Sequence, residues 1–204
     1  MSSDFDLVVF SHLRWNWVYQ RPQHLLTRFA RDRRVWYIEE PVSEDTDHPW
    51  LETEHLAHNV TVVRPHMRAE YPFYVGEQLP LLTQLVQSLA QEQGIRRPAV
   101  WLYTPMPLPV ARSLQPLALA YDCMDELSGF RYAPPELLQR EAELLQSADV
   151  VFTGGPSLYR AKQGRHRNVH CFPSSIDAAH FGKARTGNLV EPELQAALPH
   201  PRLG

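Results

Sequence analysis

Short apolar runs alternate along the chain with stretches in which apolar residues return every three or four positions. The first run, Asp6-Leu7-Val8-Val9-Phe10, is continuous rather than alternating, as expected of a strand buried on both faces. Comparable runs at 34–39, 60–63, 99–103, 117–121, 149–153 and 169–173 predict six more strands. Between them, 21–30 reads as a helix, with Pro22 in its first turn and Leu25, Leu26, Phe29 and Ala30 as its apolar stripe. A second helix is predicted over 76–93, with Leu79, Leu82, Leu85, Val86 and Leu89 on one face and Gly94 as its stop. A short helix should follow the Pro-rich loop 104–109. Pro134-Pro135-Glu136 opens the next, which carries Leu137, Leu138, Ala142, Leu145 and Ala148 and sets Glu136 against Arg140 at i,i+4. Gly154-Gly155-Pro156-Ser157 reads as a tight turn into a helix ending near Gly164. Residues 39–58 hold seven acids and no Lys or Arg, and are read as a solvated loop or irregular excursion. After Phe181 the pattern fades into a polar stretch with one short helix at 191–197.

Regular alternation of strand and helix, with continuous apolar strands, predicts a Rossmann-like open doubly wound parallel sheet with helices on both faces. Ligands of such folds sit beyond the carboxyl ends of the strands. That rule nominates the loops after Phe10, Tyr103, Tyr121 and Thr153.

Composition narrows the function classes. The 204 residues are 44% hydrophobic and 21% charged, which excludes a disordered or low-complexity chain. Twenty basic residues against 23 acidic ones leave a net charge of −3, without the basic excess of a nucleic-acid binder. Two cysteines, Cys123 and Cys171, cannot build a disulfide framework or a Cys-rich zinc site, so a reducing, cytoplasmic setting is expected. No apolar run approaches the roughly 18 residues of a membrane span, and the N-terminus lacks the pattern of a signal peptide. With 18 Pro and only 9 Gly, the chain favours rigid turns over phosphate-cradling loops.

Three constellations carry candidate chemistry. The first runs from Ser11 to His24, where a Rossmann fold would hold a Gly-rich loop; it contains no glycine, so a dinucleotide fingerprint is absent. His12, Arg14, Trp15 and Arg21 offer instead an aromatic face for a sugar ring and guanidinium forks for phosphate or carboxylate. The bland alternative is that the tryptophans pack under the next loop while the arginines pair with the acidic segment. The second is Asp122-Cys123-Met124-Asp125-Glu126 at a strand tip, where Asp122, Asp125 and Glu126 are candidates to bind hydroxyls or move a proton. The alternative is capping and ion pairing; with no His adjacent in sequence, no metal is expected. The third is Gly154, Gly155 and Ser157, a turn before a helix N-terminus that suits an anion but is also an ordinary tight turn. Six Arg within 14–34 and four basic residues within 160–167 fit either a solvated helix face or contact with anionic lipid headgroups.

Taken in order, Ser11-His12-Leu13-Arg14-Trp15, Arg21-Pro22-Gln23-His24-Leu25, Tyr121-Asp122-Cys123-Met124-Asp125-Glu126, Asp149 to Gly155, and Phe172-Pro173-Ser174-Ser175-Ile176-Asp177 with Phe181 resemble bacterial GT-B glycosyltransferases related to family 4. The last block is similar to that family's Pro-Asn-Gly-Val-Asp…Phe signature, with Ser174 and Ser175 in place of Asn and Gly. Two further departures are Tyr121 where members often carry His, and the missing Gly-rich first loop. The resemblance implies that 1–181 is the N-terminal, acceptor-side domain of a GT-B fold, and that 182–204 is a linker and the start of a C-terminal donor domain. It implies transfer of a sugar from a nucleoside-diphosphate sugar to a cell-surface or exopolysaccharide acceptor, glycan or lipid-linked. No cofactor or metal is implied beyond the donor. A C-terminal GT-B domain, in cis or in trans, would be the partner, at the inner face of the membrane. On this view Asp122, Asp125 and Glu126 orient sugar hydroxyls, His12, Arg14, Trp15 and Arg21 serve the acceptor or phosphate side, and Gly154, Gly155 and Ser157 form the floor. The alternative is a non-catalytic glycan- or nucleotide-binding module that docks a separate partner domain. A hydrolase is disfavoured, because no Gly-x-Ser-x-Gly elbow is present.

Overall fold

The computed structural model describes residues 5–68, 74, 76, 78–186, 190–191 and 193–201. Glu77 within the helix predicted over 76–93, Pro192 within that predicted over 191–197, and the terminal Arg202-Leu203-Gly204 lie outside the described residues. Two compact units are present, Met1–Pro173 and Ser174–Gly204. The boundary expected after Phe181 falls inside the second.

Among its described residues the first unit is built on nine strands: β1 (Leu7–Ser11), β2 (Val35–Glu39), β3 (Val42–Ser43), β4 (Trp50–His55), β5 (Val60–Met67), β6 (Ala99–Leu102), β7 (Ala118–Cys123), β8 (Val150–Thr153) and β9 (Val169–Cys171). Its helices are α1 (Arg21–Phe29), α2 (Leu79–Glu92), α3 (Leu108–Ser113), α4 (Leu137–Ser147) and α5 (Pro156–Lys162). The strands form one sheet in the order β3-β5-β2-β1-β6-β7-β8-β9, with β4 also paired to β5. Every pairing is parallel except β4 with β5.

The unbroken apolar runs are explained by this sheet, which is covered on both sides. In β1, Val8 and Phe10 point into a core with Trp36 and Ile38 of β2 and with Leu82, Val86, Val110 and Leu144, brought by α2, α3 and α4. Leu7 and Val9 point the other way, to Leu26 and Ala30 at α1 with Val35, Tyr37 and Val62. Successive side chains alternate faces, so a strand covered on both must be apolar at every position.

One expectation is overturned. Residues 39–58 are not simply a solvated loop: they contain β3 and β4, and Glu39 and Glu40 at the end of β2 are buried. β4 has one exposed edge, so its polar Glu52-Thr53-Glu54 gave no apolar signal. The acids are held by basic residues on β5: Arg64 donates to Glu39, Glu52 and Glu54 at 3.2, 3.0 and 2.7 Å.

The second unit contains α6 (Ala178–Gly182), a 3-10 turn at Lys183–Arg185, and α7 (Glu193–Ala196). Asp177 caps α6 by accepting from the His180 amide at 3.0 Å, the role Asp residues fill at helix starts.

Candidate functional site

The chain leaves β1, runs outward through β2 and β5, then returns to the far side of β1 as β6 and continues outward through β7, β8 and β9. The loops after β1 and β6 therefore diverge at the carboxyl edge, which is where an open α/β sheet makes its crevice. A cavity of about 500 Å³ lies there. His12 and Leu13 come from the loop after β1, Thr104 and Met106 from the loop after β6, and Glu40 from the end of β2. Asp125 and the stretch around Phe130, Arg131 and Tyr132, which follows β7, complete the wall.

His12 is held largely out of solvent. Burial lowers its pKa below the ordinary histidine value, against the opposing pull of Asp125 and of the Tyr103 backbone. Its buried Nδ1 has no hydrogen-bond partner among the described residues. A buried polar atom without a partner loses free energy unless something fills the place, so this nitrogen is suited to accept from a ligand hydroxyl. Burial likewise pushes Glu40 up to about 8, with Arg14 drawing it down.

The glycine-free loop after β1 is held by side chains. Glu39 is fully buried and accepts from the Trp15 amide at 2.7 Å, Arg14 Nη1 at 3.0 Å and Arg64 Nε at 3.2 Å. Arg14 also donates to the carbonyl of Glu40 at 2.7 Å. Gln23 Nε2 donates to the Trp15 carbonyl at 2.7 Å and Tyr37 Oη to that of Leu13 at 2.9 Å. The Trp15 ring stands edge-on to Tyr37, with centroids 4.9 Å apart. Arg14 and Trp15 thus build the loop, and neither lines the cavity.

Of the residues singled out from sequence, His12 and Asp125 are brought together at the cavity. Arg21 and Asp122 are committed to each other: Nε and Nη2 donate to Oδ2 and Oδ1 at 3.0 and 2.9 Å, and Nη1 donates to the Phe172 carbonyl at 2.7 Å. Burial raises the Asp122 pKa, and the Arg21 guanidinium acts against that rise. Glu126 faces away from the cavity to Lys162, whose Nζ donates to both of its oxygens at 2.9 and 3.0 Å. Gly154 packs under the backbone of Met124, Gly155 precedes α5 with open space around it, and Ser157 is exposed. These three do not line the cavity.

Sequence reasoning missed Glu40, Thr104, Met106 and the Phe130–Tyr132 wall. For Glu40 the available signal was its place at the tip of a predicted inner strand, next to Pro41. For Thr104 and Met106 it was the loop after Tyr103, nominated as a whole but not by residue. Nothing local marked Phe130 and Tyr132, which are brought to the cavity by the path of the chain between β7 and α4.

Solved structures share this architecture. Sucrose-phosphate synthase from Thermosynechococcus elongatus superposes with a TM-score of 0.65 at 14% identity, over 96% of this chain and 53% of that one. The chain has a GT-B-type Rossmann-like fold. An α,α-trehalose-phosphate synthase (UDP-forming) from Burkholderia xenovorans, in complex with glucose-6-phosphate, gives 0.58 at 12% identity, over 93% and 54%. The catalytic domain of starch synthase IV from Arabidopsis thaliana, bound to ADP and acarbose, gives 0.50 at 8%, over 87% and 52%. This GT-B-type chain therefore spans about half the length of these solved relatives. No family model matches it, and no curated protein matches it in sequence. Among the described residues no helix is long and apolar enough to cross a membrane, and no cluster of His, Cys, Asp and Glu is arranged to hold a metal ion.

Proposed function

We propose that this chain is the acceptor-side, N-terminal domain of a glycosyltransferase related to family 4, working on a cell-surface or exopolysaccharide acceptor in the cytoplasm, at the inner face of the membrane. The observation that carries this reading is the cavity at the sheet's switch point, with the unpartnered Nδ1 of His12 in its wall. A sugar ring would rest against Phe130 and Tyr132 and present a hydroxyl to His12, which burial keeps neutral and able to accept. Asp125 would accept from a second hydroxyl. In the complete reaction the acceptor oxygen bonds to the anomeric carbon of a nucleoside-diphosphate sugar. The bond from that carbon to the diphosphate breaks, its electron pair leaves with the phosphate, and the acceptor hydroxyl gives up its proton to the departing diphosphate. Stabilising that departing charge is the largest part of such catalysis. Arg14 and Arg21, two cations at this edge, are already engaged by Glu39 and Asp122. A C-terminal donor domain, in cis or in trans, would supply the groups for the diphosphate, and no metal or other cofactor is invoked.

Saturation-transfer NMR of the purified chain with a panel of mono- and oligosaccharides tests this. Ring protons of at least one sugar should receive saturation, and His12→Ala should weaken that binding at least tenfold with little change in Tm. Absence of any sugar signal would sink the acceptor reading. Sugar transfer by the 204-residue chain alone at an ordinary enzymatic rate would sink the division of labour. Sugar binding with no transfer in the presence of any donor-domain protein would favour a non-catalytic glycan-binding module.

A further inference from the structure

The charges around the cavity narrow the class of acceptor, an inference that rests on reading the cavity as an acceptor site. Two carboxyl groups line it, Glu40 and Asp125; Glu40 is only 8% exposed, while Asp125 is exposed. The Arg14 guanidinium, which draws on Glu40, is taken up by the Glu39 carboxylate and by the carbonyls of Glu40 and Pro41. The one guanidinium in the described lining, Arg131, is exposed and lies 5.4 Å from the centroid of the Tyr132 ring. His12 offers an acceptor nitrogen rather than a positive charge.

A phosphate group among these residues would meet the exposed Asp125 carboxylate, of its own sign, and a buried Glu40 carboxyl that its charge would keep protonated, and would find one cation in the lining, exposed to solvent. In a partly desolvated site that opposition is stronger than in water. An ammonium group has the reverse balance. It would offset the cost of ionising a buried carboxyl at Glu40 and could donate further to Asp125 or to His12 Nδ1. Its ring would still lie against Phe130, whose π-face favours a cationic ligand, the Tyr132 ring being shared with Arg131. We infer that the cavity selects a hydroxylated ring bearing an ammonium group, an amino sugar or aminocyclitol, and turns away sugar phosphates. It would differ in this from the Burkholderia xenovorans relative, which holds glucose-6-phosphate.

The test is titration calorimetry of the whole chain at pH 6.5 with glucosamine, N-acetylglucosamine, glucose and glucose 6-phosphate. Glucosamine should bind about tenfold more tightly than glucose or N-acetylglucosamine, and glucose 6-phosphate more weakly than either. Glu40→Gln should close most of the gap between glucosamine and glucose. Asp125→Asn, at an exposed position, should narrow the same gap and serves if the Glu40 variant does not fold. Equal binding of glucosamine and glucose, or tightest binding of glucose 6-phosphate, would overturn the charge selection and leave the acceptor reading standing. If none of the four sugars binds, the acceptor reading falls and this inference falls with it.

Discussion

Lys162 Nζ lies 2.7 Å from Glu141 Oε1, and both side chains are shut away from solvent. Glu141 also accepts from Tyr121 Oη at 3.0 Å and from Arg165 Nη1 at 3.1 Å, while Lys162 continues to Glu126. Burial pulls the Lys162 pKa down, but the two carboxylates outweigh it and hold the ammonium above its usual value. The pair ties α4 to α5 and, through Glu126, anchors the start of the loop whose Leu127 and Phe130 wall the cavity.

Lys162→Met should therefore cost about 1.5–3 kcal/mol, the loss of a buried charged hydrogen bond, because Glu141 keeps Arg165 and Tyr121. The double variant Lys162→Met, Glu141→Leu should recover most of that loss, since a buried ion pair often exchanges for apolar packing at little net cost. Urea denaturation of the wild type, both single variants and the double variant closes the cycle. A double variant no better than Lys162→Met alone would contradict this account.

Arg21 and Asp122 make a second buried pair, joining the first residue of α1 to the end of β7. Arg21→Ala should destabilise the chain by about 3–5 kcal/mol, with Asp122→Asn costing less because the amide carries no charge to strand. The expected readout is a fall in Tm for both, larger for Arg21→Ala. Loss of sugar binding by Asp122→Asn at unchanged Tm would instead give Asp122 a direct role in the site.

The two adjacent glycines separate cleanly. A Cβ on Gly154 would come 3.0 Å from the Met124 carbonyl oxygen and 3.2 Å from its Cα, both backbone atoms, whereas one on Gly155 meets nothing within 4 Å. Gly154→Ala should cost about 1–3 kcal/mol as overpacking, and Gly155→Ala should stay within about 0.5 kcal/mol. Paired thermal melts decide it.

Glu40 sets a pH dependence whose sign follows from its raised pKa. Between its ordinary value of 4.5 and about 8, the folded chain holds a proton here that the unfolded chain has lost. Stability from this group is therefore full below about pH 4.5, falls by about 1.4 kcal/mol per pH unit as pH rises, and levels off above about 8. Glu40→Gln removes the effect. The Tm difference, variant minus wild type, should grow from pH 5 to pH 8 and then flatten. A difference independent of pH would place the Glu40 carboxyl in water.

The inner sheet was legible because burial on both faces leaves an unambiguous mark: Leu7 to Phe10, Val35 to Ile38 and Val60 to Val63 have no polar position but Thr61. α1, α2 and α4 were legible for the matching reason, one apolar stripe each, and their ends fell close to Pro22, Gly94 and Pro135. β4 was not, because a strand at a sheet edge can be mostly polar when arginines on its neighbour satisfy its acids. Chain order with these elements was enough to point to the carboxyl-edge loops that hold His12 and Asp125.

Which charged residues are free to meet a ligand was settled only by the tertiary structure. Arg14, Arg21, Asp122 and Glu126 have the same local appearance as His12 and Asp125, yet each is bound to a partner 25, 101, 101 and 36 residues away. Pairing of that kind depends on the three-dimensional meeting of strand ends and helix starts, and no local window of sequence contains it. The residues alone therefore determined the sheet and the edge where chemistry would lie. Packing decided which side chains hold that edge together and which remain facing the cavity.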